Sequence, residues 1–183
     1  VPHDWSIEGV FNENNPSGIA GAFLPTGIGW YRKSLNIDHL KQDDKYFVEF
    51  DGVYMNSDVW INGQHLGKRP YGYISFSYDL TPYLKKGNNI LAVRVDHSKS
   101  PSGRWYTGSG IYRHVWITKT KHIYIPQWGT FVTAPRVDSQ AADIKLSIDI
   151  LNESGKNQKA LVKSNIKDGD GNTVASAETE IDL

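Results

Sequence analysis

The chain has 183 residues, in which 20 basic and 20 acidic side chains cancel and no cysteine occurs. Balanced, interspersed charge excludes the basic surface that holds a nucleic acid, so we expect no nucleic acid partner. The lack of cysteine excludes disulfides, thiolate nucleophiles and cysteine-ligated zinc, and no apolar run approaches the roughly 20 residues that span a bilayer.

The chain opens with an irregular segment. The first five residues, Val-Pro-His-Asp-Trp, are aromatic and turn-like and lack the layout of a signal peptide. We therefore expect a longer protein whose N-terminal strand is truncated here. Residues 12–18, which are rich in Asn, Pro and Gly, form one loop with the following residues 19–27.

The next part of the chain is typical of strands. Apolar and polar residues alternate at period two, which predicts strands with one buried face at residues 46–50, 57–61 and 74–78. Residues 91–96 and 115–118 are short β-prone runs that predict two more strands. Asn62-Gly63 directly follows the run at 57–61 and predicts a tight β-hairpin. Trp60 and Trp116 lie in predicted strands, so we expect them to be core or half-core residues. Trp30 begins a strand after a glycine-rich segment, and we expect most of the aromatic residues to belong to the core.

A single short helix is predicted at residues 81–87. Thr81 is a suitable N-cap, Pro82 suits the first helical position, and Gly87 is a stop signal. The helix would have one or two turns.

Composition changes after Thr120, where aromatic residues become rare. Strands are predicted at residues 143–150, 158–166 and 174–181, with a turn at 168–172. This pattern predicts a first domain at residues 1–120 and an immunoglobulin-like sandwich at 121–183. Such a sandwich usually needs about 100 residues and seven strands, so we expect the second domain to be incomplete.

The segment from Arg104 to Val115 is a candidate binding loop. Its glycines allow a close approach to a ligand, and Trp105 and Tyr106 offer flat apolar faces with polar tips. Arg104 can donate up to five hydrogen bonds to hydroxyl groups. These properties suit a sugar. The alternative is that Arg104 and Trp105 anchor a domain interface, because these residue types are enriched in interface cores.

Several segments together resemble glycoside hydrolase family 2, which includes β-galactosidases, β-glucuronidases and β-mannosidases. The resemblance covers nearly the whole chain and lies in the order and spacing of its pieces, which are residues 1–5 (VPHDW), 27–33 (GIGWYRK), 50–53 (FDGV), 58–63 (DVWING), 87–89 (GNN) and 108–113 (GSGIYR). It implies an all-β fold, with a jelly-roll-like sugar-binding domain followed by a partial immunoglobulin-like sandwich. In the family, a catalytic (β/α)8 barrel follows these domains, and this chain does not contain one.

The resemblance also implies a mechanism whose catalytic residues lie elsewhere. Retaining hydrolysis uses two barrel glutamates about 5 Å apart, so this chain should contain no catalytic residue and be inactive alone. Two loops of the first domain, a first at residues 12–27 and a second at residues 102–106, would contact the sugar through Asn14, Asn15, Arg104, Trp105 and Tyr106. In some β-galactosidases an acidic residue stands where this sequence has Arg104.

The expected partners are a galactoside, bound through the complete enzyme, and the protein's own barrel. We expect no metal or cofactor, while homo-oligomerisation and the choice between bacterial cytoplasm and periplasm stay open. The opening residues and the segment 27–33 favour a β-galactosidase over a glucuronidase or mannosidase. The alternative function is a stand-alone carbohydrate-binding or structural β-sandwich without hydrolase activity.

Overall fold

The computed structural model describes residues 1–99 and 105–183, and these residues confirm the predicted all-β fold. Short 3₁₀ turns occur at Ile19–Gly21 and Thr81–Tyr83. The strands are, in chain order, β1 (Gly27–Ile37), β2 (Asp44–Phe50), β3 (Ser57–Ile61), β4 (Gln64–Arg69), β5 (Phe76–Asp79), β6 (Gly87–His97), β7 (Val115–Lys121), β8 (Ile123–Tyr124), β9 (Thr130–Val137), β10 (Ala142–Ile148), β11 (Leu151–Asn152), β12 (Lys159–Lys167) and β13 (Thr173–Asp182).

The chain forms two compact units, Val1–Lys119 and Thr120–Leu183. The first unit is a β-sandwich of a four-stranded sheet, ordered β1-β6-β3-β4, and a three-stranded sheet, ordered β5-β2-β7. Every second residue of β2 and β6 is buried, as alternation predicts. The core side chains come from both sheets and from three connecting segments, which supply Val53, Leu80 and Ile111; the full set is Tyr46, Val48, Phe50, Val53, Val59, Ile61, Phe76, Leu80, Leu91, Val93, Val95 and Ile111.

The predicted hairpin at Asn62-Gly63 is confirmed and joins β3 to β4. Both residues have left-handed backbone angles, with φ of 52° and 86°, as a two-residue hairpin turn requires. The Asn62 side chain donates to the Tyr83 carbonyl oxygen at 2.9 Å, so the turn is also fixed to a neighbouring loop.

The predicted helix at residues 81–87 is wrong beyond its first turn, which is a 3₁₀ turn at Thr81–Tyr83. Asp79 caps this turn by accepting the Thr81 N–H at 2.8 Å. The buried Asn89 amide then bonds both the N–H (2.9 Å) and the carbonyl (2.8 Å) of Lys85, which a continuing helix would need. Similarly, residues 74 and 75 of the predicted strand lie outside β5.

The indoles correct another expectation. Trp60 is half-buried, as predicted, whereas Trp116 and Trp30 are exposed and do not belong to the core. Alternation along β1 explains Trp30, because its neighbour Tyr31 takes the inward position and packs against the core. Trp116 has the Asp51 carboxylate as an acceptor for its indole N–H at 3.1 Å.

The second unit contains three antiparallel strand pairs, β8 with β11, β9 with β10, and β12 with β13. The predicted strands and the turn at 168–172 are confirmed, and the Asp168 N–H donates to the Asn172 carbonyl at 2.9 Å. From Thr120 to the last residue, every apolar side chain is at least partly exposed. No helix in residues 1–99 or 105–183 is long and apolar enough to cross a membrane.

Candidate functional site

The candidate binding loop is fixed on both sides by backbone hydrogen bonds. The N–H groups of His3 and Trp5 donate to the carbonyls of Ile111 (2.8 Å) and Ser109 (3.1 Å). On the other side, Gly110 and Tyr54 exchange two backbone hydrogen bonds of 2.8 and 2.9 Å. The loop after Trp105 therefore ends as an extended segment between the N-terminal residues and Tyr54.

Two glycines permit this close packing. Gly110 has φ of 122°, and a Cβ there would lie 2.2 Å from the Tyr31 hydroxyl. Gly108 has φ of 72°, and its Cβ would lie 2.7 Å from an Asp4 carboxylate oxygen. A side chain at either position would be strained by the backbone angle and would also clash.

Asp4 organises the loop through its carboxylate. One oxygen accepts the N–H groups of Ser6 (3.0 Å) and Ser109 (2.7 Å), and the other accepts the Tyr106 hydroxyl at 2.5 Å. Burial, together with the hydrogen bond to Asp4, raises the pKa of Tyr106 well above its ordinary value. Tyr106 is therefore a neutral donor, and its hydroxyl is committed to Asp4.

A chain of side-chain hydrogen bonds lies beneath the loop. His97 Nδ1 is 2.6 Å from the Ser109 hydroxyl, which is 2.5 Å from the Ser6 hydroxyl, which lies 2.7 Å from the Pro25 carbonyl. Because a carbonyl can only accept, the chain runs in one direction, with His97 Nδ1–H as the first donor. Burial lowers the pKa of His97, which agrees with a neutral imidazole.

This arrangement has the residue types of a nucleophile and its base but not their chemistry. Ser109 and His97 are buried, and the Ser109 proton is directed to Ser6 rather than to the imidazole. His97 Nε2 has no partner in the described residues and borders a hollow of about 10 Å³, too small for a substrate. We call the hydrogen-bonded group of Asp4, Ser6, His97 and Ser109 the clamp, because its contacts fix the loop.

An exposed aromatic surface lies next to the clamp. We call it the aromatic rim and define it as Tyr71, Tyr73 and Trp105. The Trp105 indole N–H donates to the Tyr73 hydroxyl at 3.0 Å, and the ring centroids of Tyr71 and Tyr73 are 5.6 Å apart. Buried Tyr54 supports Tyr73 from below at 5.3 Å. Trp105 is 61 % exposed, so the rim offers a wide apolar face with polar tips.

The structure places the predicted site residues unevenly. Trp105 and Tyr106 lie at the clamp, whereas Arg104 lies outside the described residues. The exposed Asn14 donates its backbone N–H to the Asn12 side chain at 2.8 Å. The Asn15 side chain donates to the carbonyls of Val10 (3.2 Å) and Phe23 (2.8 Å), so it folds its own loop.

The later part of the first loop meets the second. Ser17 and residues 24–26 line the small hollow together with residues 106–108 and His97. Asn14 and Asn15 are outside that group. The structure thus brings the two predicted loops together through Tyr106 of the second loop and through first-loop residues other than the predicted Asn14 and Asn15.

Sequence reasoning also missed Asp4, His97, Tyr71 and Tyr73. The signal for the tyrosines was present, because Tyr71-Gly72-Tyr73 is an aromatic pair around a glycine outside any alternating run. Asp4 and His97 gave no local signal, since their partner Ser109 is 105 and 12 residues away in sequence. Among residues 1–99 and 105–183, no cluster of three His, Asp or Glu residues is placed to hold a metal ion.

Comparison with known proteins identifies the family. Residues 1–121 match the sugar binding domain of the glycosyl hydrolases of family 2. The chain belongs to glycoside hydrolase family 2. The predicted resemblance is therefore confirmed.

Family 2 relatives match the chain along nearly its whole length. It is 52 % identical over 180 residues to the protein named Beta-galactosidase BoGH2A from Bacteroides ovatus, covering 98 % of this chain and 21 % of that protein. It is 35 % identical over 176 residues to a Beta-glucuronidase from Formosa agariphila, covering 85 % of this chain and 18 % of that protein.

A solved structure agrees with these matches. The crystal structure of a beta-glycosidase from Bacteroides vulgatus superposes with a TM-score of 0.92 at 45 % identity, and the match covers 99 % of this chain and 23 % of that chain. The chain therefore spans only about a fifth of the length of its relatives.

Proposed function

We propose that this chain is the non-catalytic N-terminal portion of a retaining family 2 β-galactosidase that hydrolyses terminal β-galactosides. Family membership makes the parent protein a glycoside hydrolase. The relatives carry both galactosidase and glucuronidase names, and the higher identity to the protein named as a β-galactosidase favours galactosides.

The observation that carries the proposal is the fixed and exposed position of Trp105. Its indole N–H is bonded to Tyr73, and its neighbour Tyr106 is bonded to Asp4, so the ring is oriented before a ligand arrives. An indole face stacks on the apolar face of a pyranose, while hydroxyl groups take hydrogen bonds at its edge. A preorganised contact costs less ordering entropy on binding.

In this proposal the chain positions the sugar and the barrel cleaves the glycosidic bond. Two barrel carboxylates about 5 Å apart would act as nucleophile and acid/base. The chain would contribute Trp105 and Tyr106, with Arg104, Asn14 and Asn15 as further sugar contacts. It would also support the barrel and would have no hydrolase activity alone.

Activity assays on the complete polypeptide and on the 183-residue chain test the proposal. We expect the complete polypeptide to hydrolyse an aryl β-galactoside with a higher kcat/KM than the matching β-glucuronide, and the isolated chain to hydrolyse neither. A higher kcat/KM on the glucuronide would overturn the galactoside assignment. Hydrolysis by the isolated chain would overturn its non-catalytic role.

A further inference from the structure

A second aromatic surface lies on the outer face of the four-stranded sheet. We call it the indole face and define it as Trp30, Trp60 and His65. The rings of Trp30 and Trp60 stack with centroids 5.3 Å apart at 29°, and Trp60 and His65 are 5.0 Å apart at 45°. Trp30 is 55 % exposed, so much of its ring is open to solvent. These residues are different from those of the aromatic rim.

The two indoles come from strands that are not neighbours in the sheet. Trp30 lies on β1 and Trp60 on β3, and β6 runs between these strands. On β6, Ala92 is paired with Trp60 and Arg94 is paired with Trp30. The stacked rings therefore meet across β6, on the diagonal between the Arg94 and Ala92 positions, and form one continuous surface.

Charged side chains flank the indole face and bond one another. Asp58 accepts from His65 Nε2 at 3.0 Å and lies 3.8 Å from the Arg94 guanidinium, which also bonds Asp96 at 2.8 Å. In the strand register, Arg94 lies opposite both Trp30 and Asp58. Each carboxylate and guanidinium has more hydrogen-bonding positions than these contacts use, so hydroxyl groups can still be bound.

The charges on this face nearly balance. Arg32, Lys68 and Arg94 supply three cations, and Asp58 and Asp96 supply two carboxylates. Such a surface has little excess charge with which to attract an ionic partner. It instead suits a neutral ligand that carries many hydroxyl groups.

A hollow borders Trp30 at the edge strand β1. It has a volume of about 190 Å³ and is bordered by Trp30, His3, Trp5, Ile28 and Tyr31. Pockets for drug-sized ligands span roughly 300–1,000 Å³, so this hollow suits a single ring rather than a large ligand.

We propose that the indole face is a binding surface for a neutral glycan. One pyranose ring would stack on Trp30 with an edge in the hollow, and the next sugar would lie toward Trp60 and His65. Asp58 and Arg94 would bond the hydroxyl groups. The proposal rests on the carbohydrate chemistry of the family, and it does not require the aromatic rim to bind sugar.

Calorimetric titration of the 183-residue chain with soluble β-galactan, β-glucan and β-mannan tests the proposal. We expect saturable binding of at least one of them, a loss of about tenfold or more in affinity for Trp30→Ala, and substantial retention for Trp30→Phe. Trp128→Ala is the matched control, because Trp128 is 79 % exposed in the second unit. The glycan affinity of Trp128→Ala should equal that of the unsubstituted chain. Circular dichroism verifies that each variant is folded.

The outcomes that overturn the proposal are distinct. A folded chain that binds none of the three glycans would overturn it. Binding that is lost in Trp105→Ala but kept in Trp30→Ala would assign the glycan to the aromatic rim instead, supporting the proposed function while overturning this inference. Preferential binding of polygalacturonate with steep salt dependence would show a charge-driven site.

Discussion

The two compact units have equally regular strand patterns, but the apolar side chains of their strands are buried to very different extents. In the first unit, Val48 and Phe50 of β2 are completely buried between two sheets. In the second unit, Phe131 of β9 is 67 % exposed, and its strands form separate two-stranded sheets. Alternation therefore identifies a strand, whereas burial depends on whether another layer covers its apolar face.

The largest difference is expected when one phenylalanine in each unit is truncated. Phe50→Ala leaves a cavity in the core and should lower the free energy of opening of β2 and β6 amides by about 3–5 kcal/mol. Phe131→Ala should change the free energy of opening of the β9 and β10 amides by less than about 0.5 kcal/mol, because the ring is largely solvated. Amide hydrogen exchange reports each unit separately. Equal losses in the two units would contradict the comparison.

A smaller difference is expected between glycines that share a left-handed backbone. Gly110→Ala should lower the free energy of unfolding by about 1–3 kcal/mol more than Gly171→Ala. A Cβ at Gly110 would clash with the Tyr31 hydroxyl, whereas open space surrounds a Cβ at Gly171. Both substitutions carry the same kind of backbone strain, with φ of 122° and 88°. Hydrogen exchange of each unit provides the measurement, and similar losses would show that the loop can relax around a side chain.

The smallest expected effect is the pH dependence that His97 gives to the stability of the first unit. Burial lowers its pKa below the ordinary value of about 6.5, although Asp4 and Asp96 partly oppose this shift. The unfolded chain therefore takes up a proton that the folded chain does not. The stabilisation that comes from keeping His97 neutral should be fully present above about pH 6.5, so the free energy of unfolding of the first unit should decrease as the pH falls below that value.

Exchange measurements as a function of pH check this prediction. His97→Gln should flatten the decrease below pH 6.5, whereas His39→Gln should leave it unchanged, because His39 is exposed on the same unit. An unchanged slope in His97→Gln would remove His97 as its source.

The sequence predicted the fold well where signals are local. Alternation predicted β2 and β3, and Asn62-Gly63 predicted the hairpin between β3 and β4, since neighbours in sequence alone determine these features. The helix at 81–87 failed because Asn89, further along the chain, captures the backbone of Lys85. Trp30 was assigned to the core from its residue type, although alternation with Tyr31 already pointed it outward.

The candidate site was predicted only in part, and for a physical reason. Trp105 and Tyr106 stood out because aromatic residues beside glycines are a local pattern. The groups that hold them are distant in sequence, since Asp4 bonds Tyr106 across 102 residues. A single sequence gives no information about contacts between residues so far apart, so only the structure reveals the clamp.

The most direct test of the central claim is the kcat/KM of Trp105→Ala in the complete polypeptide on an aryl β-galactoside. We predict a loss of about tenfold or more, which corresponds to about 1.4 kcal/mol of transition-state stabilisation, and no loss for the exposed control Trp128→Ala. An unchanged kcat/KM in Trp105→Ala would contradict the claim that this loop contributes to the sugar site.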